Sequence, residues 1–207
     1  MAWAAEYHGI RLKDERNMPE MLKYLGWCSW DAFYKEINEE KFRAKAEELI
    51  EKQVPVRWML FDDGWMNGRD DMLCAYEPDK EKFPNGFDAL ITDIKQKSNI
   101  SWFGVWHAFG GYWAGVDPDS ELAQLENNHL YATVNGRLVP NPVNGAGFYR
   151  NWYQLLKKQQ IDFVKVDGQS AVPIYFQQDQ PTASAARGMN RELDKGCLLY
   201  TSPSPRD

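Results

Sequence analysis

The chain has 207 residues, 43% hydrophobic and 26% charged, which suits one folded domain of ordinary size rather than a disordered segment. Its formal net charge is −6 and no Lys/Arg cluster interrupts it, which argues against nucleic acid as a partner. No apolar run reaches the ~18 residues of a membrane helix, and the opening MAWAAEYHGI lacks the charged start and apolar centre of a secretory signal.

In chain order, residues 1–23 are polar and read as an approach segment. YLGWCSWDAF (24–33) predicts a short aromatic strand running into a turn. Asn38 then stands as N-cap to EEKFRAKAEELIEKQ, whose Phe42, Ala46, Leu49 and Ile50 recur at helical spacing. Past Pro55, VRWMLFDDGW (56–65) predicts a second strand that ends in acid, Gly and Trp. PNGFDALITDIKQKS (84–98) predicts a second helix and ISWFGVWHAF (100–109) a third strand. SELAQLENN (120–128) is a helical piece inside a long irregular insert rich in Gly, Pro and Asn. AGFYRNWYQLLKKQQ (146–160) predicts a third helix and IDFVKVDGQ (161–169) a fourth strand. The pattern fades after Arg191. CLLYTSPSPRD (197–207) matches no element and is expected to be a disordered or non-native tail.

This β-α-β-α-β-α-β order, with near-continuous apolar strands, predicts parallel strands covered by helices. A doubly wound sheet and a (β/α)8 barrel both fit that order. The polar residues favour the barrel. They fall at strand C-termini: Trp30-Asp31, Asp62-Asp63, Trp106-His107, and Lys165 with Asp167. Barrel enzymes gather their chemistry on that rim from several strands. A doubly wound sheet uses one switch point, often behind a Gly-rich turn, and no G-x-G-x-x-G occurs here. The expected fold is therefore an α/β (β/α)8 TIM-type barrel. Residues 24–196 supply about the first four β/α units, since a full barrel takes roughly 250 residues.

Lys165 and Asp167 lie two apart on a strand and share one face. They can be a structural ion pair. They can also be chemistry, because Gly168 ends the strand there and an ammonium beside Asp167 favours its ionised form. FDDGW (61–65) can be a solvated turn, or a pair of carboxylates accepting from vicinal sugar hydroxyls. The aromatic share is 14% with nine Trp, which fits a large aromatic core and equally fits flat faces for sugar rings. Trp27, Trp30, Trp106, Tyr112 and Trp113 cluster near strand ends. His107 reads as a hydrogen-bonding rim residue. Cys28, Cys74 and Cys197 show no C-x-x-C and an odd count, which predicts free thiols in a reducing compartment, the cytoplasm. The scattered His8, His107 and His129 give no metal motif.

LGWCSWDAFY, FDDGW, VWHAFGGYW and FVKVDGQ together resemble glycoside hydrolase family 36, in the raffinose-synthase and seed-imbibition-protein branch of α-galactosidase-like proteins. The resemblance covers residues 20–190. It implies a catalytic (β/α)8 barrel, a retaining mechanism on α-galactoside oligosaccharides of the raffinose type, and no cofactor or metal. By motif, Asp167 takes the nucleophile's place and Lys165 that of its accompanying cation. Asp62 and Asp63 match the pair that binds the 4- and 6-hydroxyls of galactose, and Trp30 and Trp106 match pocket-lining aromatics. The family's acid/base comes from a later strand and has no matching motif before residue 207; Asp179 and Asp194 do not sit at strand ends. The family's N-terminal β-rich domain is also missing. Two other readings stay open: galactosyl transfer to a sugar hydroxyl, and a non-catalytic galactoside-binding barrel. As a free chain, residues 1–207 are expected to be neither stable nor active, because half a barrel leaves open strand edges.

Overall fold

A computed structural model describes residues 18–197. The strands are β1 (Leu25–Cys28), β2 (Val56–Phe61), β3 (Met66–Arg69), β4 (Met72–Pro78), β5 (Trp102–Ala108), β6 (Leu130–Ala132), β7 (Leu138–Pro140) and β8 (Phe163–Asp167). β1, β2, β5 and β8 form one parallel sheet in that spatial order. They are the four strands read from the sequence. The helices Glu39–Glu51, Asp88–Lys97 and Ala146–Lys158 cross between them. Asn38 caps the first of these by accepting from the Lys41 N–H at 2.8 Å.

Side chains alternate across each strand, so the parallel register sorts the sheet into two faces. Phe61, Phe103, Val105 and His107 are buried on the helix-covered face. There Phe61 stacks between Phe42 at 3.8 Å and Phe87 at 4.3 Å. Trp27 shares this face and packs edge-on against Phe42 at 5.6 Å. The other face carries Cys28, Trp58, Leu60, Trp106, Lys165 and Asp167, as the pairings Cys28–Leu60, Trp58–Trp102 and Trp106–Lys165 require. Glycine makes this face wide enough for rings. A Cβ on Gly104 would sit 2.3 Å from the Phe163 ring. With hydrogen there instead, Phe163 lies over the strand and meets Trp58 edge-on at 5.6 Å.

Two hairpins that the pattern leaves as loops sit above the C-terminal edge of the sheet. β3 pairs with β4 and β6 with β7, both antiparallel. The β3–β4 turn is made by Asp70 and Asp71, whose φ values are +52° and +59°. Such primed turns are signalled most strongly by Asn-Gly or Asp-Gly, and Asp-Asp hides the signal. Val116 joins the hairpins by bridging Leu73 on one side and Leu138 on the other.

The chain does not lose its pattern at Arg191. Thr182–Cys197 is one helix that buries Ala185, Met189 and Leu193. Cys197 is its last described residue; residues 198–207 lie outside the described residues, as do residues 1–17 of the approach segment. Cys28, Cys74 and Cys197 are all free thiols. Among the described residues no helix is long and apolar enough to cross a membrane, and no group of three His, Cys, Asp or Glu could hold a metal ion.

Candidate active site

The C-terminal ends of the four parallel strands converge on three carboxylates. Asp62 and Asp63 follow β2 directly and are 2% and 1% exposed. Anions this buried need donors, and both have them. Asp62 Oδ2 accepts from Lys165 Nζ at 2.8 Å and from Cys28 Sγ at 3.1 Å, while its Oδ1 accepts from the Asp63 N–H at 2.9 Å. Ser29 Oγ accepts from the Asp62 N–H at 2.9 Å. Asp63 Oδ1 accepts from Tyr112 Oη at 2.8 Å and Oδ2 from Trp113 Nε1 at 2.8 Å. Lys35 Nζ stands 3.9 Å from the same Oδ2 and donates to Asp71 at 2.8 Å.

Asp167 closes β8. Its Oδ2 accepts from Trp106 Nε1 at 3.1 Å and its Oδ1 from the Gly168 N–H at 2.7 Å. A carboxylate oxygen offers two lone-pair directions, so each oxygen keeps one free. Gly168 takes the left-handed conformation, φ +70°, which turns the chain away from the strand at this point.

Lys165 does not accompany Asp167 in the way its place on β8 suggests. Its direct partner is Asp62, reached across the sheet. Burial works to lower the lysine's ionisation, but the hydrogen bond and charge of Asp62, with a smaller contribution from Asp167, raise it above the ordinary value. The ammonium thus stays charged and ties β8 to the β2 carboxylate Asp62.

Trp106 is buried and its ring meets Trp113 at 5.1 Å and Tyr112 at 6.1 Å. Trp113 is 38% exposed, so this cluster presents an aromatic surface beside Asp63. Trp30 is placed differently. It opens a one-turn helix, Trp30–Phe33, and its ring meets Tyr34 at 5.1 Å. Asp62, Asp63, Trp106, Lys165 and Asp167 form one linked set, and none of the hydrogen bonds of these carboxylates comes from Trp30.

His107 is not a rim residue. It lies on the helix-covered face, fully buried, with Nδ1 2.9 Å from the Ala108 carbonyl and Nε2 2.8 Å from Tyr153 Oη. A carbonyl can only accept, so Nδ1 donates to it, and the charged ring is disfavoured by burial. Burial pushes its ionisation down to about 4.

Cys28, Ser29 and Lys35 join the site without having been read from the sequence as members of it. Cys28 was legible in principle, since strand alternation puts it on the Asp62 face. Lys35 had no signal, because its place depends on the chain folding back against Gly64. There a Cβ would come within 2.6 Å of the Lys35 backbone.

The chain is similar to known proteins in sequence and in fold. The sequence model described as "Raffinose synthase or seed imbibition protein Sip1" matches residues 3–82 and 70–179. A probable galactinol–sucrose galactosyltransferase 6 from Arabidopsis thaliana is 28% identical over 197 residues, covering 78% of this chain and 26% of that protein. Alpha-galactosidase 1 from Pediococcus pentosaceus is 30% identical over 159 residues, covering 67% of this chain and 20% of that protein. Among solved structures, a GH36 α-galactosidase from Geobacillus stearothermophilus in complex with raffinose has a TM-score of 0.62 at 24% identity, over 86% of this chain and 26% of that one. The chain therefore spans about a quarter of the length of the curated galactosyltransferases it matches. The shared fold and the parallel α/β sheet fit part of a TIM-type barrel domain. With residues 3–82 and 70–179 matched by that sequence model, the chain belongs to the raffinose synthase or seed imbibition protein Sip1 family.

Proposed function

We propose that this chain carries the first four β/α units of a catalytic (β/α)8 barrel that acts on α-galactosides through a covalent galactosyl-enzyme. One observation carries the reading. Asp167 is an anchored carboxylate with a free lone pair on each oxygen, standing at the same sheet edge as the Asp62–Lys165 pair and Asp63. An Asp167 oxygen attacks the anomeric carbon as the bond from that carbon to the leaving oxygen breaks. The leaving oxygen takes a proton from a second carboxylic acid, for which the sequence offers no motif match. Water then displaces Asp167 and releases galactose, giving its proton to that second carboxylate, which is restored as the acid. Asp62 and Asp63 accept from sugar hydroxyls with the lone pairs that Lys165, Cys28, Tyr112 and Trp113 leave open. Lys165 donates to a hydroxyl with its remaining N–H groups. The Trp106–Trp113 cluster faces the apolar side of the ring.

The test is Asp167→Ala in the complete protein, assayed on an aryl α-galactoside with and without azide. The expected result is loss of turnover, with azide restoring it as a β-galactosyl azide. Wild-type hydrolysis by the variant ends the proposal. A second reading, transfer of the galactosyl group to a sugar hydroxyl in place of water, is favoured by the relatives named galactosyltransferases. Supplying raffinose alone, and galactinol with sucrose, separates the two by product.

A further inference from the structure

We infer that Cys28 is a positioning residue of the galactoside site: its thiol donates to Asp62 and, with Lys165, fixes that carboxylate for the sugar. The inference rests on the proposed role of Asp62 in binding substrate.

The register of β1 with β2 pairs Cys28 with Leu60, two residues before Asp62 and on the same face. The thiol therefore points along the sheet at the carboxylate. Sγ lies 3.1 Å from Oδ2, and Lys165 Nζ reaches the same oxygen at 2.8 Å. The two donors come from opposite edges of the sheet, β1 and β8, and hold the β2 carboxylate between them. They differ in stiffness. The lysine side chain is 45% exposed and has four rotatable bonds, whereas the thiol hangs one bond from a strand. The next residue fixes the backbone. Ser29, fully buried, donates its N–H to the Leu60 carbonyl at 3.1 Å and accepts the Asp62 N–H on Oγ. Consecutive residues of the GWCSW stretch thus hold the side chain and the main chain of Asp62. The sulfur is a donor at neutral pH: burial, then the neighbouring Asp62, pushes the thiol's ionisation up to about 11, against the Trp30 backbone hydrogen bond, which lowers it.

The experiment uses the complete protein and p-nitrophenyl α-galactoside. Cys28→Ser keeps a donor, Cys28→Val keeps volume, and Cys28→Ala keeps neither. Serine is expected to stay within about twofold of wild type in KM. Valine and alanine are expected to raise KM roughly threefold to tenfold with kcat little changed, as suits a weak donor to a charged group. Asp62→Asn should raise KM as well, and Cys28→Val added to it should raise KM no further. A valine variant equal to wild type, a serine variant worse than valine, or additive effects with Asp62→Asn would each overturn the inference. If Asp62→Asn raises KM and the Cys28 variants do not, this inference alone falls. If Asp62→Asn leaves KM unchanged, the substrate role of Asp62 falls and the inference with it. A further readout needs no Cys28 variant: iodoacetamide labelling of Cys28, followed by peptide mass spectrometry, should set in at lower pH in Asp62→Asn than in wild type. An unshifted profile also overturns the inference.

Discussion

Trp106 on β5 donates its indole N–H to Asp167 on β8, Nε1 to Oδ2 at 3.1 Å. The strand register explains the reach. Trp106 stands opposite Lys165, and Asp167 stands one same-face position further on, opposite Ala108. The small Ala108 leaves room for the indole to extend past it. The Trp106 carbonyl is itself held by Trp65 Nε1 at 2.7 Å. Asp167 is thus aimed by a tryptophan whose own backbone is aimed by another.

Replacing Trp106 with Phe keeps most of the ring and deletes that donor. Hydrogen bonds to charged groups contribute roughly 1.5–3 kcal/mol, so kcat on an aryl α-galactoside should fall by about tenfold to a hundredfold. Circular dichroism should be unchanged. A kcat equal to wild type would show that Asp167 needs no aiming from this side.

Asp63→Asn should lower kcat/KM by a similar factor, roughly tenfold or more. Asp63 accepts from Tyr112 and Trp113 on separate oxygens. An amide has one oxygen, so its NH2 must face either the tyrosine hydroxyl or the indole N–H, and the second arrangement sets donor against donor. Steady-state kinetics with parental kcat/KM would reduce FDDGW to a turn.

His107 should make stability pH-dependent. Its folded ionisation lies near 4 because of burial, against an ordinary 6.5. Between those values the unfolded chain takes a proton that the folded ring refuses. The stabilisation is therefore complete above about pH 6.5 and is lost progressively as pH falls toward 4, by roughly 3 kcal/mol in all. Urea unfolding of the complete protein at pH 7.5, 5.5 and 4.5, compared with His107→Gln, checks this. The variant should show a flatter dependence over that interval, and equal slopes would refute the assignment.

Much of the fold was legible because its four parallel strands are apolar runs that stop at acids and glycines, and because Asn38 announces its helix. The site was legible to the level of residue sets and no further. Alternation along IDFVKVD puts Lys165 and Asp167 on one face, but the lysine's reach to Asp62 depends on the order of strands, which no local pattern encodes. His107 was misplaced although the information was present: once Trp106 faces the site, alternation sends its neighbour to the helices. The β3–β4 hairpin escaped because β3 is only four residues, mostly without apolar side chains, and its turn is Asp-Asp. Both readings of the aromatics hold at once. Trp65 and Trp152 are fully buried, while Trp113 is partly exposed beside a carboxylate.

The hairpins above the sheet have a consequence for grafting. Leu73 in β4 takes a hydrogen bond from the Asp117 N–H and gives one to the Gly115 carbonyl, while Leu138 in β7 accepts from the Val116 N–H at 2.7 Å. The Asp71 carbonyl accepts from the Ala114 N–H at 2.8 Å, next to Trp113. The segments after β2 and after β5 are therefore stitched into a single cassette. A chimera that imports only the second segment strands the Leu73 amide and carbonyl and the Asp71 carbonyl, and it loosens the indole that grips Asp63. Residues 66–78 and 111–140 move between scaffolds as one unit.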